Sequence, residues 1–225
     1  MSVDFFQKKT AWILCAVVGI SVVLGAGLYA RFLDRATVQA VSHNFYFLVS
    51  DSTHIEVSTH QVVNSGGAGY VLEEKEREYV AISVYFSKSQ AEIVQSNLSM
   101  PSMVLEKTTE NLYFKTKKQK QKAKRITGAF SCLKSCIGVL NGEIERLETG
   151  ATQQSSKRIL SDLRRQFAYL AKEYQKDFVS YAFVCEKASA YLLEITDGTV
   201  YVGDLRYLLC ALCNSFVDLS KEFSL

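Results

Sequence analysis

Four cysteines stand at helical spacing in the C-terminal half of the chain: Cys132 and Cys136 are i, i+4, and Cys210 and Cys213 are i, i+3. Each pair falls on one helix face, so together they have the geometry for a four-thiolate metal site or a disulfide between helices. The same spacing suits buried thiols serving as small apolar side chains. Structural zinc favours loops and knuckles, and no metal is expected here. Cys185 and Cys15 bring the total to six; the five beyond the N-terminal apolar run are odd in number, unlike the framework of a small secreted module. His43, His54 and His60 have no ligand spacing and no acidic companion in a metal motif. Gly66-Gly67-Ala68-Gly69 lacks the Lys-Ser/Thr that follows a phosphate-binding loop and reads as a turn. No nucleophile and base form a recognisable constellation. The chain is therefore expected to bind rather than to catalyse, and to need no cofactor.

The strongest charge signal is the run Lys115, Lys117, Lys118, Lys120, Lys122, Lys124 and Arg125. Cations at the start of a helix oppose its dipole, so helix stability does not explain them. A solvated linker is one reading. Attraction to an anionic surface is the other: teichoic acids, lipid headgroups or nucleic acid. No groove-reading or RNA-binding motif favours nucleic acid, and the net charge of the whole chain is only +3.

The elements that must position these groups differ between the two halves. Phe45–Val49, Ala68–Leu72 and Tyr79–Phe86 read as strands, and Met103–Leu105 or Leu112–Phe114 supplies a fourth. Ile55–Val63 reads as a short helix. Ser87, with Gln90 at the capping-box position, starts another that runs from Lys88 to about Leu98. The order is β-α-β-β-α-β, a split βαβ arrangement.

That order, the glycine-rich entry Gly66-Gly67-Ala68-Gly69-Tyr70-Val71, and the stretch Tyr79-Val80, Phe86-Ser87, Ala91 and Leu98 resemble the sporulation-related repeat (SPOR) domain. The resemblance covers residues 44–114. It implies a module behind a single N-terminal transmembrane helix that binds peptidoglycan glycan strands, often stripped of their peptides, during cell division or sporulation. Sugar faces pack on rings while their hydroxyls need polar neighbours, and tyrosine offers both. Tyr46, Tyr79 and Tyr85 are the candidate platform; ordinary sheet-core aromatics are the competing explanation.

Residues 115–225 carry heptad seams. Ile126, Phe130, Leu133, Ile137, Leu140, Ile144 and Leu147 alternate steps of four and three. A second seam runs from Leu160 to Ile195 with a stutter around Tyr174, and a third from Val202 to Phe223. Gly150 and Gly198 fall between seams and suit helix C-caps. The expectation is an antiparallel three-helix bundle whose middle helix, about 40 residues long, reaches roughly 60 Å. Glu143, Glu145 and Glu148 should meet Lys157, Arg158, Arg164 and Arg165 across the first hairpin. An unpaired stripe on the long helix would serve a protein partner or self-association.

At the N-terminus, Thr10–Ala30 is uncharged and bracketed by Lys9 and Arg31. About 21 residues at ~1.5 Å span roughly 31 Å, the thickness of a bilayer core. A cleaved signal peptide is the alternative, but the apolar run outlasts its small-residue site at Gly25-Ala26-Gly27. The chain thus divides into a tail (1–9), a transmembrane anchor (10–30), a linker (31–43), the α+β module (44–114) and the helical bundle (115–225). Flanking lysines and arginines are nearly balanced, so they do not set orientation; the SPOR resemblance places the domains outside the cytoplasm. The expectation is an α+β, single-pass cell-membrane protein of the envelope. The rival is a tethered scaffold whose coiled helices bind a protein and whose α+β module binds no sugar.

Overall fold

A computed structural model describes residues 37–39, 41–51, 54–114 and 117–223. The proposed anchor, Thr10–Ala30, lies outside the described residues. Among those described, no helix is long and apolar enough to cross a membrane.

The chain opens with β1 (Thr37–Gln39), inside the expected linker, and continues through β2 (Asn44–Ser50), α1 (Ile55–Asn64), β3 (Tyr70–Glu74), β4 (Arg77–Tyr85), α2 (Lys88–Asn97) and β5 (Ser102–Thr108). Then follow β6 (Leu112–Phe114), α3 (Lys117–Glu148), α4 (Gln153–Tyr174), α5 (Val179–Asp197) and α6 (Val202–Lys221). The split βαβ expectation holds from β2 to β5. These strands form one antiparallel sheet in the order β3-β4-β2-β5, which is ferredoxin-like. Of the two segments that could have supplied its fourth strand, Ser102–Thr108 does so. Leu112–Phe114 pairs instead with β1 in a separate two-stranded ribbon.

Side-chain alternation on β2 sorts the two faces of this sheet. Leu48, with Val80 and Ile82 from β4, packs on Val62 of α1 in a small core that Ile55, Val94 and Leu98 border. Phe45, Phe47 and Val49 point the other way, joining Leu72, Ala81 and Val84 in a core that continues without a break into the helical half. Phe216 of α6 sits at the seam, its ring 5.8 Å from Phe45 and 5.1 Å from Phe130 of α3. Residues 44–114 and 115–225, expected as separate domains, share this one core.

The glycine-rich stretch is the α1–β3 turn. Gly69 has φ +64°, and a Cβ there would stand 2.4 Å from Val63 Cγ2, so no larger residue fits without a shift. The same turn seats α6: Arg206 donates to the Gly66 carbonyl at 2.6 Å.

The helical half departs from expectation. There are four long helices, not three: the predicted 40-residue middle helix breaks at residues 175–178 into the hairpin of α4 and α5. The break is driven by packing. Phe178 leaves helical geometry (φ −148°, ψ 76°) and is buried against Phe130, Tyr181 and Phe223. The seam spacing survives because Phe178 fills a core position on either side of the bend. The expected charge pairing across the first hairpin also differs. Glu143 pairs with Arg146 of its own helix at 2.7 Å, and Glu148 with Arg206 of α6 at 2.5 Å. Arg165 pairs with Asp162.

Candidate functional site

The three tyrosines do not form one platform. Tyr46 and Tyr85 are cross-strand partners on β2 and β4. Tyr79 packs against the large core on the opposite face, while Tyr85 borders the small one. Neither sheet face is open: α1 and α2 cover one, α6 the other.

Tyr46 instead lines a cleft of about 600 Å³ at the seam between sheet and bundle, with His43, Asn44 and Phe86 on one wall and Lys134 and Asn141 on the other. Gly138 also lines it, and a Cβ there would meet nothing within 4 Å. Most of these residues are held by neighbours. The backbone N–H of His43 donates to Thr109 Oγ1 at 2.8 Å and its carbonyl accepts from the Thr109 N–H at 3.0 Å, tying the entry of β2 to the exit of β5. Asn44 Nδ2 donates to the Tyr46 hydroxyl at 3.4 Å, and Asn141 Nδ2 to Glu145 at 2.8 Å. The Phe86 ring, exposed on one side, stands edge-on to Phe45 at 5.9 Å.

Burial, with the Lys134 ammonium adding to it, holds the His43 imidazole below its ordinary pKa. At neutral pH it is therefore an uncharged donor and acceptor. The cleft offers two ring faces, two amides, an imidazole, the hydroxyls of Tyr46 and Ser42, and one cation. That set suits a hydroxyl-rich ligand with a negative charge. Of its residues, the sequence pointed to Tyr46 alone as a ligand contact; His43 stood out only as a histidine without ligand spacing.

Among the described residues the cysteines form no disulfide: all five are free, and all but Cys132 are buried. Burial pushes the Cys136 and Cys185 thiols up to about 12, and Cys210 and Cys213 well above their usual range. They are protonated and pack as apolar groups. Among the described residues no cluster of histidine, cysteine or acidic side chains could hold a metal.

The basic run opens α3, the backbone of which starts at Lys117. Lys122 pairs with Asp177 at 3.3 Å, and Arg125 with both Asp177 and Glu173 at 2.5 and 2.9 Å. Lys122 and Arg125 thus fasten the α4–α5 elbow. Lys124 is exposed.

A second concavity of about 500 Å³ runs between α5 and α6, lined by Phe183, Ala188, Tyr191, Tyr207, Ala211 and Leu212 among others. No family model, no curated protein and no solved structure matches the chain.

Proposed function

We propose that this chain is a single-pass membrane-anchored envelope protein that acts by binding, with glycan strands of peptidoglycan as its ligand, in cell division or sporulation. The observation that supports the reading is the seam cleft. Tyr46 and Phe86 present rings for sugar faces, Asn44, Asn141 and neutral His43 meet hydroxyls, and Lys134 meets a carboxylate. Stripping peptides from a glycan strand frees such carboxylates on its sugars. The ligand is thereby assigned to the rim of the sheet rather than to either covered face. The role proposed is recruitment rather than turnover.

The test is retention of the full chain on purified, peptide-stripped strands. Tyr46→Ala and Lys134→Ala should each weaken it about tenfold, equivalent to ~1.4 kcal/mol. Tyr79→Ala, on the other side of the sheet, should leave it unchanged. Failure of the unaltered chain to be retained would remove the glycan assignment.

One observation favours a second reading, a scaffold that holds a protein partner. The groove between α5 and α6 has an apolar floor, and Phe183 at its lip remains 54% exposed. Charge-bearing rims at Lys187 and Glu194 would orient a partner helix lying in it.

A further inference from the structure

We infer that the groove between α5 and α6 receives a basic amphipathic helix from another protein. The inference rests on the scaffold reading above and deepens it by fixing the chemistry of the partner.

The groove is longer than the concavity around Tyr191 and Tyr207. A neighbouring hollow of about 450 Å³ shares Phe183, Val184 and Ser215 with it and runs on to Val179, Leu219 and Glu222. Together they make one channel along the antiparallel pair of helices. From Val179 to Glu194 it extends about 22 Å, at ~1.5 Å for each residue of α5. That length suits about four turns of a helix. The buried part of its lining is apolar, with Ala188, Leu208, Leu212 and Leu219. Ala188, Ala211 and Ser215 are too small to fill the space between the two helices. Phe183 and Val179 stand 54% and 68% exposed at its lip. An amphipathic helix lays its i, i+3, i+4 and i+7 side chains into a channel of this kind.

Both ends of the channel are acidic. At one, Glu194 lines the wall and Asp204 acts on the neighbouring Tyr191. Burial first, then Asp204, Tyr207 and Glu194, pushes the Tyr191 hydroxyl up to about 12. At the other end stand Asp218 and Glu222. Two cations complete the set. Lys221 lies 2.8 Å from Asp218 and neutralises it. Lys187 stands between the ends, its ammonium 4.6 Å from the centre of the Phe183 ring. Among the described residues, Glu194, Asp204 and Glu222 enter no salt bridge. A partner helix with lysine or arginine toward each end supplies the countercharges. A second copy of the chain does not. Whichever way a two-fold axis lies, docking groove to groove brings an acidic end onto an acidic end. The charge pattern therefore selects a basic helix from a different protein.

The experiment places p-benzoylphenylalanine at the exposed position of Phe183 in the full chain, held in a neutral detergent, and follows photo-cross-linking to a fluorescent helical peptide of about 16 residues. The peptide carries leucine at i, i+3, i+4 and i+7 and lysine in its first and last turns. Its counterpart has glutamate in place of each lysine. The lysine peptide should reach half-saturation at a concentration about tenfold below its counterpart. Glu194→Gln together with Glu222→Gln, both at exposed positions, should raise that concentration about fivefold. High salt should narrow the difference between the peptides. Equal half-saturation for the two peptides would overturn the basic assignment while leaving the groove as a helix site. Cross-linking of neither would overturn the groove reading and this inference with it. Cross-links from position 183 to a second copy of the chain, or to residues 1–36 of its own, would overturn the assignment of an outside partner.

Discussion

The two faces of the four-stranded sheet are covered in different ways. One carries the short helices α1 and α2 on a four-residue core, with Val57, Val63 and Ile93 left more than half exposed. The other carries Phe45, Phe47 and Leu72 into a core that runs through all four C-terminal helices. The first face belongs to a small α+β module; the second makes that module a layer of a larger body. Sheet and bundle are consequently expected to unfold as one cooperative unit.

The largest expected effect comes from the seam. Phe216→Ala should cost about 3–5 kcal/mol, as for other fully buried aromatics. Amide exchange should accelerate in β2 and β4 as well as in α3. Loss of protection confined to the helices would break the single-core description.

Next comes the polar tie across the same face. Lys107 on β5, 8% exposed, donates to the Glu73 carbonyl and to Asn214 Oδ1, each at 3.0 Å, and lies 3.3 Å from Glu74. It joins the two edge strands of the sheet to α6, and Asn214 continues the tie to the Tyr70 hydroxyl. Lys107→Met keeps the aliphatic stem but removes the charge-assisted bonds, at an expected cost of about 1.5–3 kcal/mol in a denaturant titration. An unchanged midpoint would mean that apolar contact alone holds the sheet edges on α6.

The smallest effect belongs to the other face. Ile82→Val removes one methylene from the minor core and should cost about 0.5–1.5 kcal/mol. A loss as large as that of Phe216→Ala would erase the asymmetry between the faces.

What could be read from the residues follows the range of the interactions involved. The strands and short helices of residues 44–108 declare themselves through local period and turn chemistry, such as Gly66-Gly67 after α1. Ser87 does precede α2, but the expected capping box does not form, because its hydroxyl meets Ser89 Oγ at 2.9 Å and makes no capping bond to the helix. The seam of α3 is likewise local. The break at residues 175–178 is not: no glycine or proline marks it, and Phe178 continues the seam while turning inward. Its cause is contact with Phe130 and Phe223, some 45 residues away in both directions. The cleft was hidden for the same reason. His43 and Asn44, Phe86, and Lys134 and Asn141 come from three separate stretches and show no spacing of their own. The tyrosines drew notice as a residue type, yet an irregularity in the β2–β4 pairing, where Leu48 faces Ser83 and Val49 faces Ala81, breaks the alternation along β4 and sends Tyr79 to the face opposite Tyr85.

The position of α6 sets the order in which the molecule can be completed. A ribosome delivers β2 to β5 first, with Phe45, Phe47, Val49 and Leu72 uncovered. Their partners Leu205, Leu209 and Phe216 are made about a hundred residues later. For that interval the nascent sheet presents a continuous apolar face, the kind of surface that chaperones hold and that aggregates when left unattended. A ribosome stalled anywhere before Val202 leaves a chain with its sheet sequence complete and no lid for it, a product marked for degradation rather than a smaller working protein.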